Sequence, residues 1–142
     1  MKIEFFRIKL IKFKENEMSI ITDNTVLVHI YSGLESKNKV TLALLVALEA
    51  ERSDHKVTLF LAGDGVHLLS CKKAGEIVGQ GTGDLYEHLE NLKNSKVNIF
   101  VSGLSAKSRG YDETLLEGYN AEFAMPDVLV DESIKADSVL CY

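Results

Sequence analysis

The sequence has no tryptophan, one proline, two cysteines and no long run of apolar residues. Two cysteines are too few for a disulfide framework or a cysteine metal cluster, so we expect no metal and no other cofactor. The longest wholly apolar run, residues 42–48, is far too short to cross a bilayer. Charged residues interrupt the N-terminal apolar positions, which excludes an ordinary signal peptide. We therefore expect a cytoplasmic protein that does not enter a membrane.

The chain also lacks an excess of positive charge. Its 16 basic and 21 acidic residues give a net charge of −5, which argues against a general nucleic-acid binder. The same net charge is compatible with small molecules or basic protein surfaces as partners. The length of 142 residues and a hydrophobic content of 46% suit one globular domain.

Residues 1–17 differ from the rest of the chain in charge, because basic residues outnumber acidic ones there. Their apolar positions fit helical spacing and strand alternation, so periodicity leaves both open. We interpret 1–17 as a basic N-terminal extension and 18–142 as the domain. A basic amphipathic segment can bind a membrane surface. We favour instead a segment that packs on the domain or on a neighbouring subunit, or upstream sequence before a start at Met18.

Apolar runs alternate with helical patterns along the rest of the chain, which predicts a parallel sheet covered by helices on both faces. Ser36 and Thr82 are the candidate N-caps of the first two helices. The first helix is apolar on several sides and is expected to contact a second subunit. The predicted strands are 25–31, 56–62, 97–102, 121–124 and 138–142, and the predicted helices are 36–52, 83–94, a helix from 111 to 117, and 126–135.

Small, hydroxylated and cationic residues follow the predicted strand 97–102, in a stretch interpreted as a loop ending at Arg109. Proteins of the α/β class build sites at the carboxyl ends of their strands. Hydroxyl groups, cations and the amides of a helix start suit a small anion such as sulfite, thiosulfate or phosphate. The candidate ligand-binding residues, drawn from three strand ends, are Ser32, Asp64, His67, Ser102, Ser105, Lys107 and Arg109.

Structural interpretations of the same residues stay open. The serines can serve loop hydrogen bonding, Arg109 an ion pair or interface contact, and His67 the start of a helix. Asp64, His67 and a serine have the residue types of a hydrolase triad, but no strained nucleophile elbow is present. Each cysteine is interpreted first as a small buried hydrophobe.

The chain from residue 18 to 142 resembles the DsrE/DsrF-like family, which includes TusD-type sulfur-relay subunits. The resemblance lies in residues 26–33 and 57–69, and above all in 97–110. It implies a three-layer α/β/α sandwich with a mainly parallel five-stranded sheet. It also implies a homo-oligomer, commonly a trimer or hexamer, and partners among other sulfur-relay proteins.

Family members that relay sulfur hold a persulfide on a cysteine at the position of Ser102, and some carry a second at Ser105. A serine hydroxyl ionises far less readily than a thiol and cannot carry a persulfide. Two functions follow. The chain is a sulfur-trafficking protein that binds a small anion, or uses Cys71 in place of the missing cysteine. Alternatively, it is a non-catalytic oligomeric binding or scaffold module. Whether it is an enzyme is left open.

Overall fold

The computed structural model describes residues 8–12, 18–22, 24–70 and 76–142. In chain order, the strands are β1 (Ile8–Lys12), β2 (Met18–Thr22), β3 (Thr25–Ile30), β4 (Lys56–Leu61), β5 (Val78–Gly79), β6 (Gly83–Asp84), β7 (Asn98–Ser102), β8 (Ala121–Ala124) and β9 (Ser138–Cys141). The α-helices are α1 (Lys37–Arg52), α2 (Leu85–Lys93), α3 (Gly103–Ser108) and α4 (Pro126–Lys135), and 3-10 segments cover Leu34–Ser36, Gly63–Ser70 and Glu113–Leu116.

Five of these strands form one central sheet in the order β8-β7-β4-β3-β9. All four pairings within it are parallel. The central strands β3, β4 and β7 are apolar on both faces, as expected for parallel strands covered by helices. The predicted α/β fold with a mainly parallel five-stranded sheet is confirmed.

Helices cover both faces of this sheet and give it three layers. The larger core cluster joins α1 and α2 to the inward side chains of one face, such as Leu59 and Ile99. The smaller cluster lies on the other face, where Val128 and Leu129 of α4 pack against Leu27 and Phe60. Each layer thus buries its apolar stripe against the sheet.

Several local predictions were wrong. The stretch after Ser102 is not an open loop, because residues 103–108 form α3, and residues 113–116 form a 3-10 segment where a helix from 111 was predicted. Asp84, not Thr82, caps α2, since its carboxylate accepts the backbone N–H of Tyr86 at 2.7 Å. The Thr82 hydroxyl bonds instead to that of Thr41, at 2.6 Å. Ser36 occupies the N-cap position of α1 without a side-chain capping bond.

The N-terminal strands β1 and β2 pair with each other in antiparallel register. Their pairing joins Lys12 to Met18, so the described backbone is extended on both sides of the predicted domain start. The boundary at residue 18 stays a prediction. None of the helices in the described residues is both long enough and apolar enough to cross a membrane.

A side-chain clamp fastens β9 to β3 at the amino edge of the sheet. The Asp137 carboxylate accepts the Thr25 backbone N–H at 2.7 Å and the Thr25 hydroxyl at 2.9 Å. These bonds hold the pKa of Asp137 below its usual value. Thr25 and Asp137 are 112 residues apart in the chain, so a long-range contact attaches the last strand to the sheet.

Candidate functional site

Three neighbouring strand ends bring the central site residues to one edge of the sheet. Ser32 follows β3, Asp64 follows β4 and Ser102 ends β7. These strands are adjacent and parallel, so their carboxyl ends meet at the same edge. Ser32 and Ser102 are each 8% exposed, whereas Asp64 is exposed.

Ser102 and Ser105 tie the end of β7 to the end of β4. The Ser102 hydroxyl caps α3 by accepting the Ser105 backbone N–H at 3.2 Å. The Ser105 hydroxyl accepts the Gly63 backbone N–H at 2.9 Å. Each hydroxyl therefore acts as an acceptor within the fold and keeps its own proton to donate. At the start of α3, the Ser105 amide is therefore already bonded to its own cap.

Arg109 bridges from the end of α3 to Asp64. Its Nη2 and Nε donate to the same carboxylate oxygen, Oδ1 of Asp64, at 2.9 and 3.2 Å. Its Nη1 donates to the backbone oxygen of Ser105 at 3.1 Å and to the hydroxyl of Ser108 at 3.3 Å. The guanidinium is therefore held in one orientation at the strand edge, and its charge is shared with a carboxylate.

His67 extends this network to a residue that the sequence did not single out. Its Nδ1 lies 2.5 Å from the Tyr111 hydroxyl, and the two rings meet edge to face at 5.5 Å. Its Nε2 lies 4.0 Å from Oδ1 of Asp64. His67 and Tyr111 are 44 residues apart, so no local pattern could have paired them.

This geometry does not form a hydrolase triad. One nitrogen of His67 faces Tyr111 and the other faces Asp64, so neither is bonded to a serine. A Ser-His-Asp site needs the imidazole between the carboxylate and the hydroxyl. No group of three or more possible metal-ligating side chains occurs in the described part of the chain.

Other predicted site residues lie outside the network. Lys107 is exposed on the last turn of α3. Ser32 is bonded through its backbone, with its N–H 3.4 Å from the backbone oxygen of Tyr142. Cys71 lies outside the described residues. Cys141 is exposed on the edge strand β9, so the prediction that it is buried was wrong.

Comparisons with known proteins agree with this fold. The model of the DsrE/DsrF-like family matches residues 25–142. The YchN protein of Escherichia coli is 20% identical, with a TM-score of 0.67, over 85% of this chain and 100% of that chain. MTH1491 of Methanobacterium thermoautotrophicum, titled a protein of unknown function, is 16% identical with a TM-score of 0.60, over 84% of this chain and 100% of that one.

A third structure is the conserved protein of unknown function BT1422 from Bacteroides thetaiotaomicron. It is 12% identical, with a TM-score of 0.60, over 82% of this chain and 94% of that chain. At these identities the likeness concerns the fold alone. No curated protein sequence matches the chain.

Proposed function

Since the chain belongs to the DsrE/DsrF-like family, we propose that it is a cytoplasmic sulfur-trafficking protein that binds a small oxyanion. The anion is held at the strand edge by Arg109 and the hydroxyls of Ser102 and Ser105. Sulfur is not carried covalently at this edge, because a serine forms neither a thiolate nor a persulfide. Other sulfur-relay proteins are the proposed partners.

The contact between Asp64 and Arg109 carries the proposal. The Nε and Nη2 side of a guanidinium is suited to bind two oxygens of an oxyanion at once. Here a single carboxylate oxygen takes both donors, and the Asp64 side chain is 56% exposed. An exposed ion pair of this kind contributes little to stability, about 0–1 kcal/mol, so an incoming anion can displace the carboxylate. Asp64 then acts as an internal competitor for the site.

The decisive experiment compares three single variants by calorimetric titration with sulfite, thiosulfate and phosphate. Asp64→Asn should bind the preferred anion more tightly than wild type, because the variant removes the competing charge. Arg109→Ala should weaken binding by about 1.5–3 kcal/mol, the usual value for a hydrogen bond to a charged group. Lys107→Ala removes an exposed cation from the same helix outside the network and should leave affinity unchanged.

Two results would contradict the proposal. One is the absence of binding by all three anions at millimolar concentration, in wild type and in Asp64→Asn alike. The other is sulfur gained at Cys71, seen by mass spectrometry after incubation with a low-molecular-weight persulfide donor. That second result would make Cys71 the working residue.

A second candidate is a non-catalytic oligomeric scaffold. It is favoured by exposed apolar side chains on α4 and β9, with Val130 55%, Ile134 78% and Val139 43% exposed. Open apolar surface of this kind is typical of protein interfaces. The proposed assembly is a homotrimer or hexamer, which light scattering of the purified chain would detect. Such an assembly with no anion affinity would favour the scaffold.

A further inference from the structure

A groove of about 340 Å³ lies beside α2, away from the strand-edge serines. This volume falls in the range of about 300–1,000 Å³ in which proteins hold small molecules. Leu89 and Leu115, 4% and 6% exposed, form part of an apolar floor. The aromatic lining residues are Tyr86, Tyr111 and Tyr119.

Two of the three aromatic rings are held in place by the fold. The Tyr111 hydroxyl is bonded to Nδ1 of His67. The Lys93 ammonium lies over the ring of Tyr119, 5.2 Å from its centroid. Tyr86 is 55% exposed and stands at the mouth of the groove. A ligand would therefore meet a largely preformed aromatic wall, with little ordering needed on binding.

The charges at the rim favour a cation. Lys93 and Glu90 lie 2.8 Å apart and compensate each other. This hydrogen bond to Glu90 raises the pKa of Lys93, so the ammonium stays protonated at neutral pH. Glu117 is an exposed lining residue that has no ion-pair partner among the described residues. Among the lining residues that the structure describes, Glu117 is thus the one charge left without an ion pair, and aromatic faces also attract cations.

From this geometry we propose that the groove binds a small aromatic amine. Its ring would lie on the leucine floor between Tyr86 and Tyr111, with its ammonium group toward Glu117. The site is separate from the anion site and does not depend on the function proposed for that edge. Tyr111 connects the groove to the strand-edge network, since its hydroxyl contacts His67.

Three probes with the same ring and different charge test the proposal. Phenethylamine, phenethyl alcohol and hydrocinnamate are titrated into the full chain and followed by NMR shifts of backbone amides. The amine should bind most tightly and the carboxylate least, with shifts centred on residues of the groove. Glu117→Gln should remove the preference for the amine over the alcohol and leave the affinity for the alcohol unchanged.

Tyr86→Ala should weaken binding of the amine by about three- to tenfold, the effect expected for one aromatic contact. Tyr31→Ala is the matched control, because Tyr31 is 56% exposed and lies outside the groove. Equal affinity for the three probes would overturn the proposal, and so would shifts that bypass the groove. An equal loss in the two tyrosine variants would do the same.

Discussion

The two faces of the central sheet are unequal in what covers them. Leu59 and Phe60 are neighbours in β4 and point to opposite faces. Leu59 therefore belongs to the larger core cluster and Phe60 to the smaller one. Two helices, α1 and α2, pack on the face of the larger cluster, here called the first face. On the second face, α4 buries part of its surface but leaves Val130 and Ile134 exposed. The first face therefore holds most of the buried core, and the second leaves more apolar surface exposed on its covering helix.

The largest effect should come from the first face. Leu44→Ala removes a side chain of α1 that is 1% exposed, and should cost about 2–5 kcal/mol of unfolding free energy. Leu42→Ala on the same helix is the control, since Leu42 is 38% exposed. Denaturant unfolding of both variants measures the difference. A similar, small loss in both would mean that α1 does not anchor the core.

A smaller effect is expected on the second face. Leu129 of α4 is only partly buried against the smaller cluster. Leu129→Ala should therefore cost about 1 kcal/mol, near the centre of the range for point substitutions. The same denaturant experiment compares it with Leu44→Ala. If the two cost the same, the faces contribute equally and the contrast between them fails.

The second face should also make the stability of the fold depend on pH. His29 lies on the second face, where its ring meets Phe60 edge to face at 5.9 Å, and burial lowers its pKa below the ordinary value of 6.5. The unfolded chain then binds more protons than the folded chain at mildly acidic pH. Stability should be fully present above about pH 6.5 and fall as the pH drops through the lowered value. Melting temperatures between about pH 5 and pH 8 should show this loss in wild type and a smaller one in His29→Gln.

The smallest effect on stability should come from the exposed side of α4. Ile134→Glu changes a residue that is 78% exposed, so the unfolding free energy should stay within about 0.5 kcal/mol of wild type. Its effect should appear in self-association, because a carboxylate would be buried in any interface on this surface. Light scattering at matched concentration measures it. An unchanged assembly would show that subunits meet elsewhere, for example at α1, as the sequence suggested.

The sequence predicted the central sheet well because its strands, and the long helices that cover it, have clear local signals. Pro126 marked the first turn of α4, and residues 121–124 were identified as a strand. The six residues of α3 were missed because they span fewer than two turns and include one large apolar side chain, Leu104, so they form no apolar stripe. Ser102 was predicted as an anion-binding residue, and its role as the N-cap of α3 was missed.

The position of the candidate site could be predicted from the sequence, but the hydrogen bonds between its side chains could not. Parallel strands place Ser32, Asp64 and Ser102 at one edge, and that follows from strand order alone. The bond between Asp64 and Arg109 joins residues 45 positions apart, and no spacing rule could pair them. The competition between Asp64 and an anion for Arg109 therefore becomes visible only in three dimensions.

The clamp between Thr25 and Asp137 has a consequence during protein synthesis. A ribosome makes β3 among the first elements, but its outer neighbour β9 is made more than a hundred residues later. Until then the nascent chain presents an unpaired strand edge, which invites pairing with other chains. Released chains truncated before residue 138 should need a chaperone to stay dispersed, and the released full chain should not.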